Sequence, residues 1–282
     1  MAYAPGQQMM QPTKSTLAPY LGNKKAILVK QTPRGCCQEC MGCEAKSEYK
    51  ISAMDFSYME TGGILKEGAM TQPDEMYALE QSSFCMRCCW RDGRAMSISV
   101  SQGGESGGAP IIDYVKPCGC PLNFCIPIGE DATLEVPCCC CLPELTTEVD
   151  GVELKSKYIC DAYCCVSKFA YLENGNEIYR LKPDTCCGGC CPTCRFSKKK
   201  PMIPYFFYDA DGNRITDGMD DDNMQPQIRK VWAGLYKECC STADTFAVFF
   251  PEGADEKRKA GLLGLTFLLD FTVFERQGQD AA

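Results

Sequence analysis

The stretch from Lys257 to Arg276, KRKAGLLGLTFLLDFTVFER, constrains this chain more than any other. Charged residues at Glu256, Lys257, Arg258 and Lys259 precede an almost unbroken apolar run from Ala260 to Leu269. Asp270 interrupts the run, and Phe271, Val273 and Phe274 resume it. Leucine dominates and proline is absent, so the pattern predicts a helix of about five turns. It is apolar nearly all round and must be buried on every side. Lipid and protein are the two candidates for what buries it. A membrane-spanning helix needs roughly 20 mostly apolar residues, and shorter runs more often belong to a protein core. A carboxylate at Asp270 would be costly inside a bilayer. Gly261 and Gly264 allow close approach by a neighbour but lack the GxxxG spacing of membrane dimers. The expectation is a core helix packing through Leu262, Leu263, Leu265, Phe267, Leu268, Phe271 and Phe274, with a membrane span as the alternative.

What surrounds such a helix is legible upstream. From Lys24 onward, short strand-like runs recur: 26–31, 48–54, 75–81, 95–101, 111–116, 133–136, 145–149, 168–172, 177–182, 203–209, 228–236 and 245–250. Several alternate polar with apolar residues, and turn pairs such as Asp150-Gly151, Asn174-Gly175 and Asp211-Gly212 separate them. Short antiparallel strands with one all-round apolar helix have a simple solution: the sheet closes, losing its edges, and the helix fills the interior. The fold expected is mostly β, a closed antiparallel barrel of about 12 strands enclosing the C-terminal helix. Residues 1–22, rich in Gln, Pro and Met, read as a tail; 23–277 as the barrel domain; 278–282 as a second tail.

Composition removes several function classes. The chain of 282 residues carries a net charge of −8, which argues against a nucleic-acid binder. It has 24 cysteines and no histidine, so Ser-His, Cys-His and His-metal arrangements are all absent. No apolar signal segment or N-myristoyl motif is visible at the N-terminus, and the cysteines are expected to stay reduced.

In order along the chain, MYALEQSSFCMRCC (76–89), YVKPCGCPLNFC (114–125), CVSKFAYLENGNEIYRLK (165–182), KVWAGLY (230–236), TADTFAVFFP (242–251) and KAGLLGLTFLLDFTVFE (259–275) resemble the phospholipid scramblase family, whose domain is similar to the tubby C-terminal fold. The resemblance implies a last helix threading a twelve-stranded barrel. It also implies bidirectional, ATP-independent, calcium-activated phospholipid movement between leaflets, without covalent catalysis. Thioester acylation (palmitoylation) would hold the protein to the cytosolic face of a membrane, the plasma membrane. The alternative is a non-transporting phosphoinositide-binding or scaffold module on the same fold.

Carried over residue by residue, the acylated run matches best onto Cys118, Cys120 and Cys125, with Cys138, Cys139, Cys140 and Cys141 the nearest in composition. Zinc is a rival use for cysteine, best at Cys186, Cys187, Cys190, Cys191 and Cys194, where CxxC spacing aims thiolates at one ion. Plain packing as a small hydrophobe is the third reading. The family's calcium segment falls on Thr242, Asp244, Phe246, Val248, Phe250 and Gly253; one carboxylate among them predicts weak binding, with Glu252 and Asp255 as nearby supplements. The run 209–222 begins like an EF-hand but has Arg214 where glycine is required, so a hairpin turn is expected there. Arg195, Lys198, Lys199 and Lys200 form a basic patch suited to anionic lipid headgroups, or to a solubilising loop. Trp232 reads as a barrel-wall residue. A phospholipid membrane is the expected partner, and the oligomeric state is left open.

Overall fold

The strands form where apolar and polar residues alternate. In a computed structural model, which describes residues 17–32, 46–55, 57, 66–85, 87, 93–119, 123–127, 133–137, 142–159, 166–186, 191–192, 195–197, 200–202, 204–221, 224–231 and 244–274, they close into a barrel. In chain order the strands are β1 (Ala26–Gln31), β2 (Glu48–Met54), β3 (Asp74–Gln81), β4 (Met96–Gln102) and β5 (Pro110–Lys116). A separate hairpin follows, β6 (Asn123–Pro127) with β7 (Thr133–Pro137). Then come β8 (Glu144–Val149), β9 (Val152–Ile159), β10 (Lys168–Glu173) and β11 (Asn176–Pro183). Two small pairs interrupt: β12 (Thr185–Cys186) with β13 (Cys191–Pro192), and β14 (Arg195–Ser197) with β15 (Lys200–Met202). β16 (Pro204–Tyr208), β17 (Gln227–Lys230) and β18 (Thr245–Phe249) complete the wall.

The closed order is β1-β2-β3-β4-β5-β8-β9-β10-β11-β16-β17-β18, returning to β1, and each neighbouring pair is antiparallel. Strand number and closure agree with the sequence expectation, with one exchange. Residues 133–136 pair in the β6–β7 hairpin outside the barrel, and β9, absent from the sequence reading, takes the place. The reason is chemical: β9 turns Leu154, Ser156 and Tyr158 inward, and an inward serine breaks the apolar alternation. Its hydroxyl donates to the Gly261 carbonyl of the helix at 3.4 Å.

β1 and β18 are apolar without alternation because both faces are covered. Ile27, Val29, Phe246 and Val248 face the interior, while Ala26, Leu28, Ala247 and Phe249 pack outside with Met54, Val231 and the short helix Glu67–Met70. The packed domain also begins earlier than residue 23: Leu17 and Leu21 are buried, and Lys259 Nζ donates to the Leu21 and Gly22 carbonyls at 3.1 and 2.7 Å. The sequence reading assigned this segment to the tail because two leucines in a polar stretch carry no periodicity.

The terminal helix spans Glu256–Leu269 and continues as a π-helical turn, Asp270–Phe274. Asp255 caps it, its Oδ1 accepting from the Arg258 amide at 2.9 Å. From Lys259 to Leu269 every residue is buried, as an all-round apolar helix requires. Leu262, Leu263, Leu265, Phe267, Leu268, Phe271 and Phe274 all belong to the interior cluster. At its base, Arg258 forms a two-pronged ion pair with Glu173 at 2.8 and 3.1 Å.

Two glycines let the wall touch the helix backbone. A Cβ on Gly261 would lie 2.2 Å from the Tyr171 ring, and one on Gly264 would lie 2.7 Å from the Tyr114 ring. Tyr114 also donates its hydroxyl to the Ala260 carbonyl at 2.7 Å. Both rings are buried and have no room to swing away. Alanine normally favours a helix over glycine by about 1 kcal/mol. Here overpacking overrides that preference, so Gly261→Ala should lower unfolding stability by roughly 1–3 kcal/mol. A urea midpoint equal to or above that of the unmodified chain would show that the tyrosine contact is not tight.

Candidate functional site

The end of the barrel where the helix finishes concentrates buried charge. Helix residue Asp270 is 1% exposed and accepts a hydrogen bond from the Tyr49 hydroxyl at 2.6 Å. Beside it, at the top of β3, Glu80 meets the Arg94 guanidinium through two bonds of 2.8 and 3.1 Å. The same carboxylate accepts from the Ser47 amide at 3.0 Å and the Ser82 hydroxyl at 2.6 Å. Lys116 Nζ donates to the Arg94 carbonyl at 2.9 Å, and the guanidinium lies 5.5 Å from the Phe271 ring centroid. The cluster ties the ends of β2, β3 and β5 to the last turn of the helix.

Of this cluster the sequence reading singled out only Asp270. A signal for the others exists in strand phase. Glu80 is in register with inward Met76 and Ala78, and Lys116 with inward Ile112 and Tyr114. A charge at an inward position requires a partner, because an unpaired buried charge is costly. The partner's identity is not written locally.

Burial pushes the Glu80 carboxyl up, but the Arg94 guanidinium, aided by the Ser82 hydroxyl and Ser47 amide, outweighs it and holds the group below the usual carboxylate range. The folded-state pKa is therefore depressed relative to the unfolded chain. The stabilisation is complete above the ordinary glutamate pKa and disappears as pH falls through the lower folded value.

The calcium positions fall on one face of β18. Phe246, Val248 and Phe250 point inward against the helix, and their strand's backbone is committed to β1 and β17. Asp244 sits at the start of β18, its carboxylate paired with Lys230 and its amide donating to Gln31 Oε1 at 3.0 Å. Glu252 and Asp255 follow the other end of that strand, and Asp255 is occupied as the helix cap. At about 3.3 Å per residue, a strand's length separates them from Asp244, too far to share one ion. The supplement expected from Glu252 and Asp255 is thereby corrected. Thr242 lies outside the described residues.

The acidic run after β16 is a turn, as its Asp-Gly tip suggested: Asp209 accepts from the Asn213 amide at 2.8 Å, and Gly212 takes a positive φ of 86°. Cys118 is exposed at the end of β5; Cys125 lies in β6, and Cys120 and Cys138 to Cys141 fall outside the described residues. Cys186 and Cys191 lie in β12 and β13, while Cys187, Cys190 and Cys194 are outside them. Among the described residues no group of three or more His, Cys, Asp or Glu is placed to hold a metal. Arg195 and Lys200 lie in β14 and β15; Lys198, Lys199 and Trp232 are outside the described set. Cys85, exposed like Cys118, was not among the acylation candidates.

Glu80→Gln keeps the shape but leaves Arg94 buried without its counter-charge, which costs about 3–5 kcal/mol. The unmodified chain should lose stability as pH falls below about 4, and the variant should lack that component of the slope. Denaturant melts from pH 7 to 3 check this; parallel curves would show that Glu80 does not control acid stability.

Residues 214–276 match the protein-family model described as Scramblase. Phospholipid scramblase 1 of Rattus norvegicus is 26% identical over 207 residues, covering 72% of this chain and 51% of that protein. Phospholipid scramblase 1 of Mus musculus is 27% identical over 209 residues, 72% of this chain and 52% of that one. Phospholipid scramblase 2 of Bos taurus is 26% identical over 202 residues, 71% and 57% respectively. The chain spans about half the length of the curated relatives it matches. No solved structure matches it. With its last helix threaded through a twelve-stranded barrel, the chain is similar to the phospholipid scramblases across most of its length and matches the Scramblase family model over its C-terminal part.

Proposed function

We propose that this chain moves phospholipids between the leaflets of a membrane to which it is peripherally attached, without ATP and in both directions. The observation that carries this reading is where the family match falls. Residues 214–276 contain β17, β18 and the threaded helix, the parts that make the barrel and its filling one unit.

Three features constrain how lipid would move. The interior is filled by the helix, so no headgroup passes through it. The outer wall carries Lys50, Asp113, Lys155, Lys157 and Arg180 rather than the apolar band of a membrane barrel. Among the described residues no helix is long and apolar enough to cross a membrane. Lipid exchange is therefore assigned to bilayer disturbed beside a docked barrel.

Attachment is assigned to thioester-linked chains on Cys118, Cys120, Cys125 and Cys138 to Cys141, several together because one chain of about fourteen carbons binds only marginally. Arg195, Lys198, Lys199 and Lys200 add attraction to anionic headgroups. Calcium regulation is weak in this reading, since Asp244 already has Lys230 as its partner.

Vesicles carrying fluorescent lipid in both leaflets test the activity. With the reconstituted chain, dithionite should remove well over half of the fluorescence, and calcium should change the rate less than twofold. A plateau near half overturns lipid movement and leaves a lipid-binding or scaffold module. Reversing Lys198, Lys199 and Lys200 to glutamate should weaken binding to anionic vesicles on the order of 100-fold or more, from about 1 kcal/mol per lysine removed. Unchanged co-flotation would remove the patch from the headgroup site.

A further inference from the structure

We infer that the barrel docks end-on, with one rim facing an anionic bilayer and the opposite rim facing away; this rests on the membrane reading above. The argument starts from strand direction. β1, β3, β5, β9, β11 and β17 all run toward the same rim, and β2, β4, β8, β10, β16 and β18 start back from it. Six connections have both anchoring strand ends at this rim: 32–47, 82–95, 117–143, 160–167, 184–203 and 231–244.

All 24 cysteines of the chain belong to those six connections. The connections at the other rim, 55–73, 103–109, 150–151, 174–175, 209–226 and 250–255, contain none. Length does not account for the division, because 55–73 and 209–226 are as long as 32–47 and 231–244. Both tryptophans, Trp90 and Trp232, belong by sequence to the cysteine-bearing connections as well.

Charge divides the same way. The cysteine-side connections hold ten Lys or Arg and ten Asp or Glu; those at the other rim hold two and thirteen. An anionic surface repels the second rim and tolerates the first, so the molecule approaches with a preferred end. Among the described residues the near rim also presents apolar surface and free thiols. Phe84 is 60% exposed, Cys85 and Cys118 are exposed, and the Gly119 amide donates to the Gly93 carbonyl at 2.8 Å, joining the connections that carry them. Aromatic rings at a rim suit the headgroup boundary, and thiols there are placed where attached acyl chains enter the lipid. The helix enters the barrel at the acidic rim and ends at the thiol rim.

The test uses the full chain, reconstituted into anionic vesicles whose lipids carry bromine along their acyl chains. In a W90F/W232F background a single tryptophan is introduced as Phe84→Trp or Met219→Trp, Met219 being exposed at the acidic rim. Bromine should quench the first at least twofold and leave the second unchanged. Equal quenching, or stronger quenching at 219, overturns the orientation. The unmodified chain supplies a measurement independent of these substitutions. Amine labelling read by mass spectrometry should fall at least threefold at Lys46, on the thiol rim, when vesicles are added, and stay constant at Lys66, on the acidic rim. Protection at Lys66 instead of Lys46 overturns the proposal. Scrambling without quenching at 84 removes the orientation and leaves the activity standing; quenching at 84 without scrambling does the reverse.

Discussion

A twelve-stranded barrel encloses more space than wall side chains fill, and an apolar helix of about 10 Å diameter cannot stand in water. Each removes the other's defect. The two buried tyrosines reaching Gly261 and Gly264 fix how close helix and wall come. From that contact follow the helix's lack of a polar face and the inward phase of every long strand. The interior is thereby given over to packing, and chemistry is displaced to the rims.

Charged and polar interactions hold the helix where it enters and where it leaves. At the entry, Arg258 holds Glu173 and Lys259 holds the carbonyls of Leu21 and Gly22. At the exit, Asp270 takes the Tyr49 hydroxyl, beside the Glu80–Arg94 pair. Such pairs contribute modestly to net stability, because desolvation offsets most of the attraction. Their consequence is specificity: a helix slipped by one turn would leave carboxylates and ammonium groups buried without partners. The apolar surface supplies the drive, and the charged ends fix the register.

Much of the architecture was legible because it is periodic. The runs at 26–31 and 48–54 coincide with β1 and β2, and the terminal helix differs only in its last turn, where five residues wind as a π-helix. β9 escaped because Ser156, an inward residue satisfied by a helix carbonyl, looks like a polar position in sequence. The helix-end cluster escaped for a different reason. Tyr49 and Asp270 lie 221 residues apart, and no local pattern encodes so distant a pair. The calcium segment shows how one pattern carries two readings: alternation in a strand also means one face, and Phe246, Val248 and Phe250 turn that face to the helix.

These facts bear on whether the helix could leave the barrel for a bilayer. Its fourteen α-helical residues extend about 21 Å, short of a hydrocarbon layer of roughly 30 Å. Insertion would carry Asp270 into lipid without Tyr49 and would expose the inner faces of twelve strands to water. Both changes oppose the transfer, and lipid replaces only the apolar contacts. In the proposed membrane attachment, the energy would therefore come from groups already outside the core. The topology supplies them at one end, where the strands hand over to cysteine-bearing connections while the acidic turns lie at the other. A barrel that keeps its helix and meets the membrane with one rim satisfies the packing of the interior and the charge of the surface together.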